Sequence, residues 1–193
     1  MTGTRRILPV LVAMGCSGGA GEAEPKPCAP IEADLPADAG AEQLEGEFRI
    51  RFVAPSAKGD ERAATGTLKL FPNQASPRRG DTTYAYPFFG TLEADLAEIG
   101  ATAPGDIGSL DPMQPGVLVI QRLADTPARS GRLMLRLGSV ANRRDVVRFD
   151  GGYTALRVRE LDANGFAGNW ESGTRTPSAR GYFCATRAEA KSK

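Results

Sequence analysis

Three cysteines and no histidine bound the chemistry open to this 193-residue chain. Without an imidazole, no Ser-His-Asp or Cys-His nucleophile can be assembled, and zinc or haem sites that rely on histidine are excluded. No glycine-rich phosphate loop ending in Lys-Ser/Thr occurs, and no Ser-x-x-Lys motif. Glu93 and Asp95 stand two apart in a predicted strand and would project from one face, as a glycosidase carboxylate pair would. A solvated strand face is the better account of them. The stretch Asp162-Ala163-Asn164-Gly165 lacks the third oxygen ligand and the terminal glutamate of a calcium loop, so it reads as a turn. The expectation is a binding or structural protein with no catalytic residue, no metal ligand and no cofactor.

Cys16 sits where a thiol would be modified rather than packed. Arg5 and Arg6 precede a short apolar segment, residues 7–14, that ends in small residues. That is the pattern of an export signal, and it falls short of the roughly 20 apolar residues a bilayer span needs. The junction Ala13-Met14-Gly15-Cys16, followed by Ser-Gly-Gly, resembles a bacterial lipoprotein box. The resemblance implies cleavage before Cys16, lipid on its sulfur and then on its new amino group, and attachment to a membrane. By the same resemblance Ser17, where an acidic residue would mark retention, points to the outer membrane, facing the periplasm or the cell surface. An ordinary secretory peptide or a short cytosolic tail is the alternative. If Cys16 is acylated, Cys28 and Cys184 remain, and in an oxidising envelope they are expected to pair. Such a bond would close nearly the whole domain into one loop, worth roughly 4–5 kcal/mol in the chain-entropy picture. Two free thiols are the other reading.

The segments that would position these groups divide the chain into four. Residues 1–15 read as the signal and 16–40 as a disordered tether rich in Gly, Ala, Pro and Glu. Residues 41–187 read as the folded domain and 188–193 as a tail. A domain of about 145 residues can bury about two thirds of its surface in one core. Removing residues 1–15 takes Arg5 and Arg6 with it and moves the net charge from +1 to −1. A near-neutral surface leaves no electrostatic footprint for nucleic acid.

From Leu44 onward the apolar period is two. Phe48, Ile50 and Phe52 alternate with Glu47, Arg49 and Arg51, and Leu133, Leu135 and Leu137 alternate with Arg132, Met134 and Arg136. Tyr84, Tyr86, Phe88, Leu92, Ala94 and Leu96 hold one parity, with Gly90 where a bulge or bend would fall. The continuous run at residues 117–120 suits a strand buried on both faces. Asp150-Gly151-Gly152 is expected to join a strand at 146–149 to one beginning at Tyr153, and Asn164-Gly165 to join that strand to the next. Both turns favour consecutive residues of positive φ. The fold class is therefore all-β, with about eight or nine antiparallel strands in a barrel or sandwich. Residues 100–116, too rich in Gly and Pro for regular structure, form a candidate lid or contact surface.

The sole tryptophan lies in Gly-Phe-Ala-Gly-Asn-Trp, residues 165–170, where Phe166, Gly168 and Trp170 share a face and the missing Cβ of Gly168 would let a large neighbour cross. This Gly-x-Trp element is similar to one in lipocalin and avidin-like barrels, where it opens the first strand; here it lies near the C-terminus, and the likeness is one of architecture. Phe88, Phe166 and Trp170 are the candidate wall of a small apolar ligand site, or else simply core aromatics. Two functions follow: a lipid-anchored module holding an apolar ligand, or an assembly factor that contacts another envelope protein. A cavity of about 300 Å³ lined by those three aromatics would favour the first. A filled core with an exposed apolar patch would favour the second.

Overall fold

The computed structural model of the chain describes residues 27–36, 39–56, 59–73, 84–101, 116–123, 132–138, 153–173 and 177–188. Among the described residues nine strands follow one another: β1 Gly46–Pro55, β2 Glu61–Pro72, β3 Tyr84–Ala85, β4 Phe88–Ala94, β5 Val117–Arg122, β6 Leu133–Leu137, β7 Tyr153–Asp162, β8 Gly165–Gly173 and β9 Pro177–Arg187. All pairings are antiparallel, and β9 returns to pair with β1. Eight strands therefore close a barrel in up-and-down order, with β3 as an additional strand on β5. Closure decides between barrel and sandwich, and it leaves no barrel strand with an open edge.

The alternation of the sequence sets which side chains enter. Phe48, Ile50, Phe52 and Ala54 of β1 are buried while Glu47, Arg49 and Arg51 face out. Leu68, Leu70, Leu92, Val117, Val119, Leu133, Leu135 and Leu156 supply the same apolar face from the other strands. Phe166 packs edge-on against Phe48 at 5.1 Å and against Phe183 at 5.9 Å. At that spacing the rings fill the lumen and gain beyond their area burial. Among the described residues the buried polar side chains are Arg136, Thr154 and Ser172; the Thr154 hydroxyl hydrogen-bonds Ser172 Oγ at 2.9 Å, so burying those two together leaves neither unsatisfied.

Short 3₁₀ helices plug both ends. Residues Ala41–Leu44, just before β1, bury Ala41 and Leu44, and Leu96–Ile99, just after β4, bury Leu96 and Ile99. Because β1 and β4 both run antiparallel to β2, the two plugs sit at opposite ends. The guanidinium of Arg187 closes the first end: it donates to the carbonyls of Gln43, Glu45 and Ala163 and lies 4.8 Å over the Phe48 ring.

Two expectations about the strands change. The parity break falls at Tyr86–Pro87, not at Gly90: from Ala85 to Phe89 the chain takes one residue more than its partner takes from Gln121 to Leu118. Proline cannot donate to a ladder, so the bulge belongs there, and it turns Tyr84 outward. Gly90 keeps its register with Leu70, and a Cβ on it would meet the Lys69 carbonyl. Residues 146–149, expected to form a hairpin with β7, lie outside the described residues, as do all of 139–152; Thr154 to Arg157 of β7 pair with β6 on one side and β8 on the other. The turn between β7 and β8 forms as expected, but no described non-glycine residue has positive φ. Instead, the Asp162 carboxylate accepts from the N–H of Asn164 at 2.7 Å and of Gly165 at 3.1 Å.

Candidate functional site on the outer wall

Disulfide and strap build the site from outside the barrel. Cys28 is bonded to Cys184, with Cα atoms 5.6 Å apart. Cys184 lies on the outer face of β9, because Phe183 and Ala185 take the core positions. From Cys28 the chain crosses β8, where Asn169 Nδ2 donates to the Ile31 carbonyl at 3.3 Å, and reaches β7, where Arg159 pairs with Asp34. Because β9 is paired on both sides, the strap lies across a sheet face rather than along a strand edge. Residues 27–36, expected to belong to the tether, are therefore part of the domain's surface.

Between strap and wall lies a groove of about 380 Å³ lined by Pro30, Pro55, Arg157, Arg159, Asn169, Trp170, Glu171, Arg180, Gly181 and Tyr182. Cross-strand pairing puts these residues side by side. Arg157, Asn169 and Tyr182 stand directly opposite one another on β7, β8 and β9, and Glu171 stands opposite Arg180. A bulge brings the second arginine in, because the register of β7 against β8 shifts between Val158 and Glu160. Gly168 faces that extra residue, and a Cβ there would collide with the Arg157 carbonyl oxygen. What crosses at Gly168 is thus the bulged backbone of β7 rather than the large side chain expected.

Charge in the groove is partly neutralised. Arg157 Nη2 donates to Glu171 Oε1 at 2.7 Å, and Arg159 Nη1 meets Asp34 Oδ1. The Nε atoms of both arginines are buried without a hydrogen-bond partner. Arg180 is exposed and has no side-chain partner among the described residues. Tyr182 donates its hydroxyl proton to Glu61 Oε1 at 2.8 Å. Burial first, then that hydrogen bond and the negative charge of Glu61, push the phenol above its ordinary 10.0, with Arg51 opposing.

The three aromatics singled out from sequence, Phe88, Phe166 and Trp170, are all buried in the one core cluster. Of the three, only Trp170 also lines the groove. Its indole donates to the Val53 carbonyl at 3.1 Å, in the space left by Gly181. Glu93 stays exposed on β4, whereas Asp95 leaves the strand to accept from Ala97 N at the head of the second 3₁₀ helix. They do not form a pair, since the strand ends between them. Among the described residues no three Cys, Asp or Glu side chains are gathered as metal ligands, and no helix is long and apolar enough to cross a membrane. Cys16 and residues 102–115 lie outside the described residues. Sequence reading missed Arg157, Arg159, Asn169, Arg180 and Tyr182. Their outward parity was legible; their convergence under the strap was not. Neither a family model, nor a curated protein, nor a solved structure matches the chain.

Proposed function

We propose that this chain is a lipid-anchored envelope β-barrel domain that binds a small amphiphilic ligand on its outer wall and has no catalytic activity. The groove carries the reading: Pro30 and Pro55 offer apolar surface beside Asn169 and three arginines, over the buried Trp170. Core side chains pack the barrel interior and a 3₁₀ helix covers each end, whereas the groove lies on the outer wall. The lipoprotein-like Gly15-Cys16 junction supports the anchor. The chain from Cys16 to the strapped Cys28 reaches at most roughly 40 Å, which would hold the groove near the membrane. Native mass spectrometry tests the binding: the Cys16→Ser chain, purified gently and without detergent from its host, is expected to retain a small molecule. Bare protein under those conditions defeats the proposal.

A second reading rests on apolar side chains at the β1-start end of the barrel. Phe71 and Leu123 are 46% and 51% exposed, the Phe71 ring lies tilted against that of Phe89 at 6.1 Å, and Tyr84 is also exposed. They favour contact with another envelope protein. Phe71→Glu would then abolish a photo-crosslinked partner without changing the melting temperature.

A further inference from the structure

We infer that the outer-wall groove is built to take an oxyanion, and that the ligand class of the proposed binding site is an amphiphile with one anionic head. The inference rests on the groove being the binding site and names the chemistry it selects. Three guanidiniums line the groove against one lining carboxylate, Glu171. An arginine offers five N–H donors in a fixed fork. In the pairs the structure contains, Arg157 uses Nη2 and Arg159 uses Nη1, so donors remain on both. Buried Nε atoms with no partner are the groups that a native protein ordinarily satisfies with water or an ion.

Each partner has a distinct part. Glu171 holds the Arg157 guanidinium in place from the adjoining strand. Asp34, carried by the strap, does the same for Arg159, whose side chain is 17% exposed while that of Asp34 is 55% exposed. Asp34 is thus a carboxylate already seated on one of the groove arginines, on its solvent side, where an incoming oxyanion can compete with it. Arg180, exposed and without a side-chain partner among the described residues, can close on the head group in the bidentate manner that suits guanidinium to carboxylate or phosphate. The apolar body of the ligand would lie along Pro30 and Pro55, over the buried Trp170. The anion can be the head of a soluble amphiphile or of a membrane phospholipid; the recognition chemistry is the same.

Trp170 is the sole tryptophan and lines the groove, which provides an internal reporter. The full chain carrying Cys16→Ser is titrated with sodium octanoate, with 1-octanol, and with vesicles of phosphatidylglycerol or of phosphatidylcholine, while Trp170 emission is followed. Octanoate is expected to give a saturable change that weakens with added salt, with octanol bound about tenfold more weakly or worse, the loss of one charge-assisted hydrogen bond. Arg180→Gln, at an exposed position, should weaken octanoate about tenfold and leave octanol unchanged. A response to phosphatidylglycerol vesicles alone, lost in Arg180→Gln and absent with phosphatidylcholine, supports the inference and identifies a lipid head as the source. Equal binding of octanoate and octanol, or an Arg180→Gln chain that binds octanoate like wild type, overturns the anion inference and leaves the groove reading standing. If no probe changes the emission, the anion inference fails; a bare chain in native mass spectrometry brings down the groove reading as well.

Discussion

Gly181 lies on β9, between β1 and β8 and directly opposite Trp170. A Cβ there would strike the Val53 carbonyl and come within 2.8 Å of Trp170 Nε1, the two atoms that hydrogen-bond across it. Gly181→Ala should therefore destabilise the barrel by about 1–3 kcal/mol through overpacking. A shift in Trp170 emission at unchanged far-ultraviolet circular dichroism would separate local strain from general unfolding. An unchanged melting temperature would mean that the wall yields there. Tyr182 gives a residue-scale prediction of opposite character. Its raised pKa means that the unfolded chain ionises first as pH climbs, so the stability it contributes is intact below 10.0 and is lost as pH rises through the higher folded value. Urea unfolding at about pH 9 and about pH 11 should show wild type losing more stability over that interval than Tyr182→Phe. Equal losses would show that the hydroxyl titrates alike in both states.

The strap is the element whose role differs most from a plain linker. Its covalent anchor at Cys184, the Ile31 carbonyl on Asn169 and the Asp34 carboxylate on Arg159 fix it across three strands. These attachments should be unequal. Cys28→Ser or Cys184→Ser should each cost about 2–4 kcal/mol, and the double variant no more than either single one, since the two sulfurs act as a unit. Asp34→Asn breaks an ion pair whose acid is more than half exposed, and should cost less than about 1 kcal/mol. Chemical denaturation of the four variants orders them. A double variant clearly weaker than both singles would show that each cysteine also makes an independent contribution. At this scale the sequence was legible in part. The pairing of Cys28 with Cys184 and the outward placement of Cys184 could be argued from redox compartment and parity. That the strap crosses a sheet face could not, because the closure of β9 on β1 is a contact between the two ends of the domain.

At the scale of the whole molecule, the proposed function hangs the barrel from a membrane by its N-terminus. Intact mass of membrane-extracted protein should show a chain beginning at Cys16 and carrying lipid, and Cys16→Ser should move the protein to the soluble fraction. Several acyl chains hold where none would. An unmodified residue 1, or cleavage at another residue, would defeat the anchor.

What the sequence determined by itself follows from local rules: alternation of period two, turn residues between runs, and too few helical stretches to form another layer. These give all-β architecture, the strand count and the inward set, including Phe48, Phe52, Phe166, Trp170 and Phe183. Parity is a property of one strand, and one strand suffices to read it. The tertiary structure decided the rest. Barrel rather than sandwich depends on whether β9 meets β1. Phe88, Phe166 and Trp170 share a core because closure brings their inner faces together. Arg157, Arg159 and Arg180 converge because a bulge opposite Gly168, the register of β8 against β9 and a disulfide from outside the barrel combine at one place. Each of those is a relation between residues far apart in the chain, set by register and closure, and no window of sequence contains it.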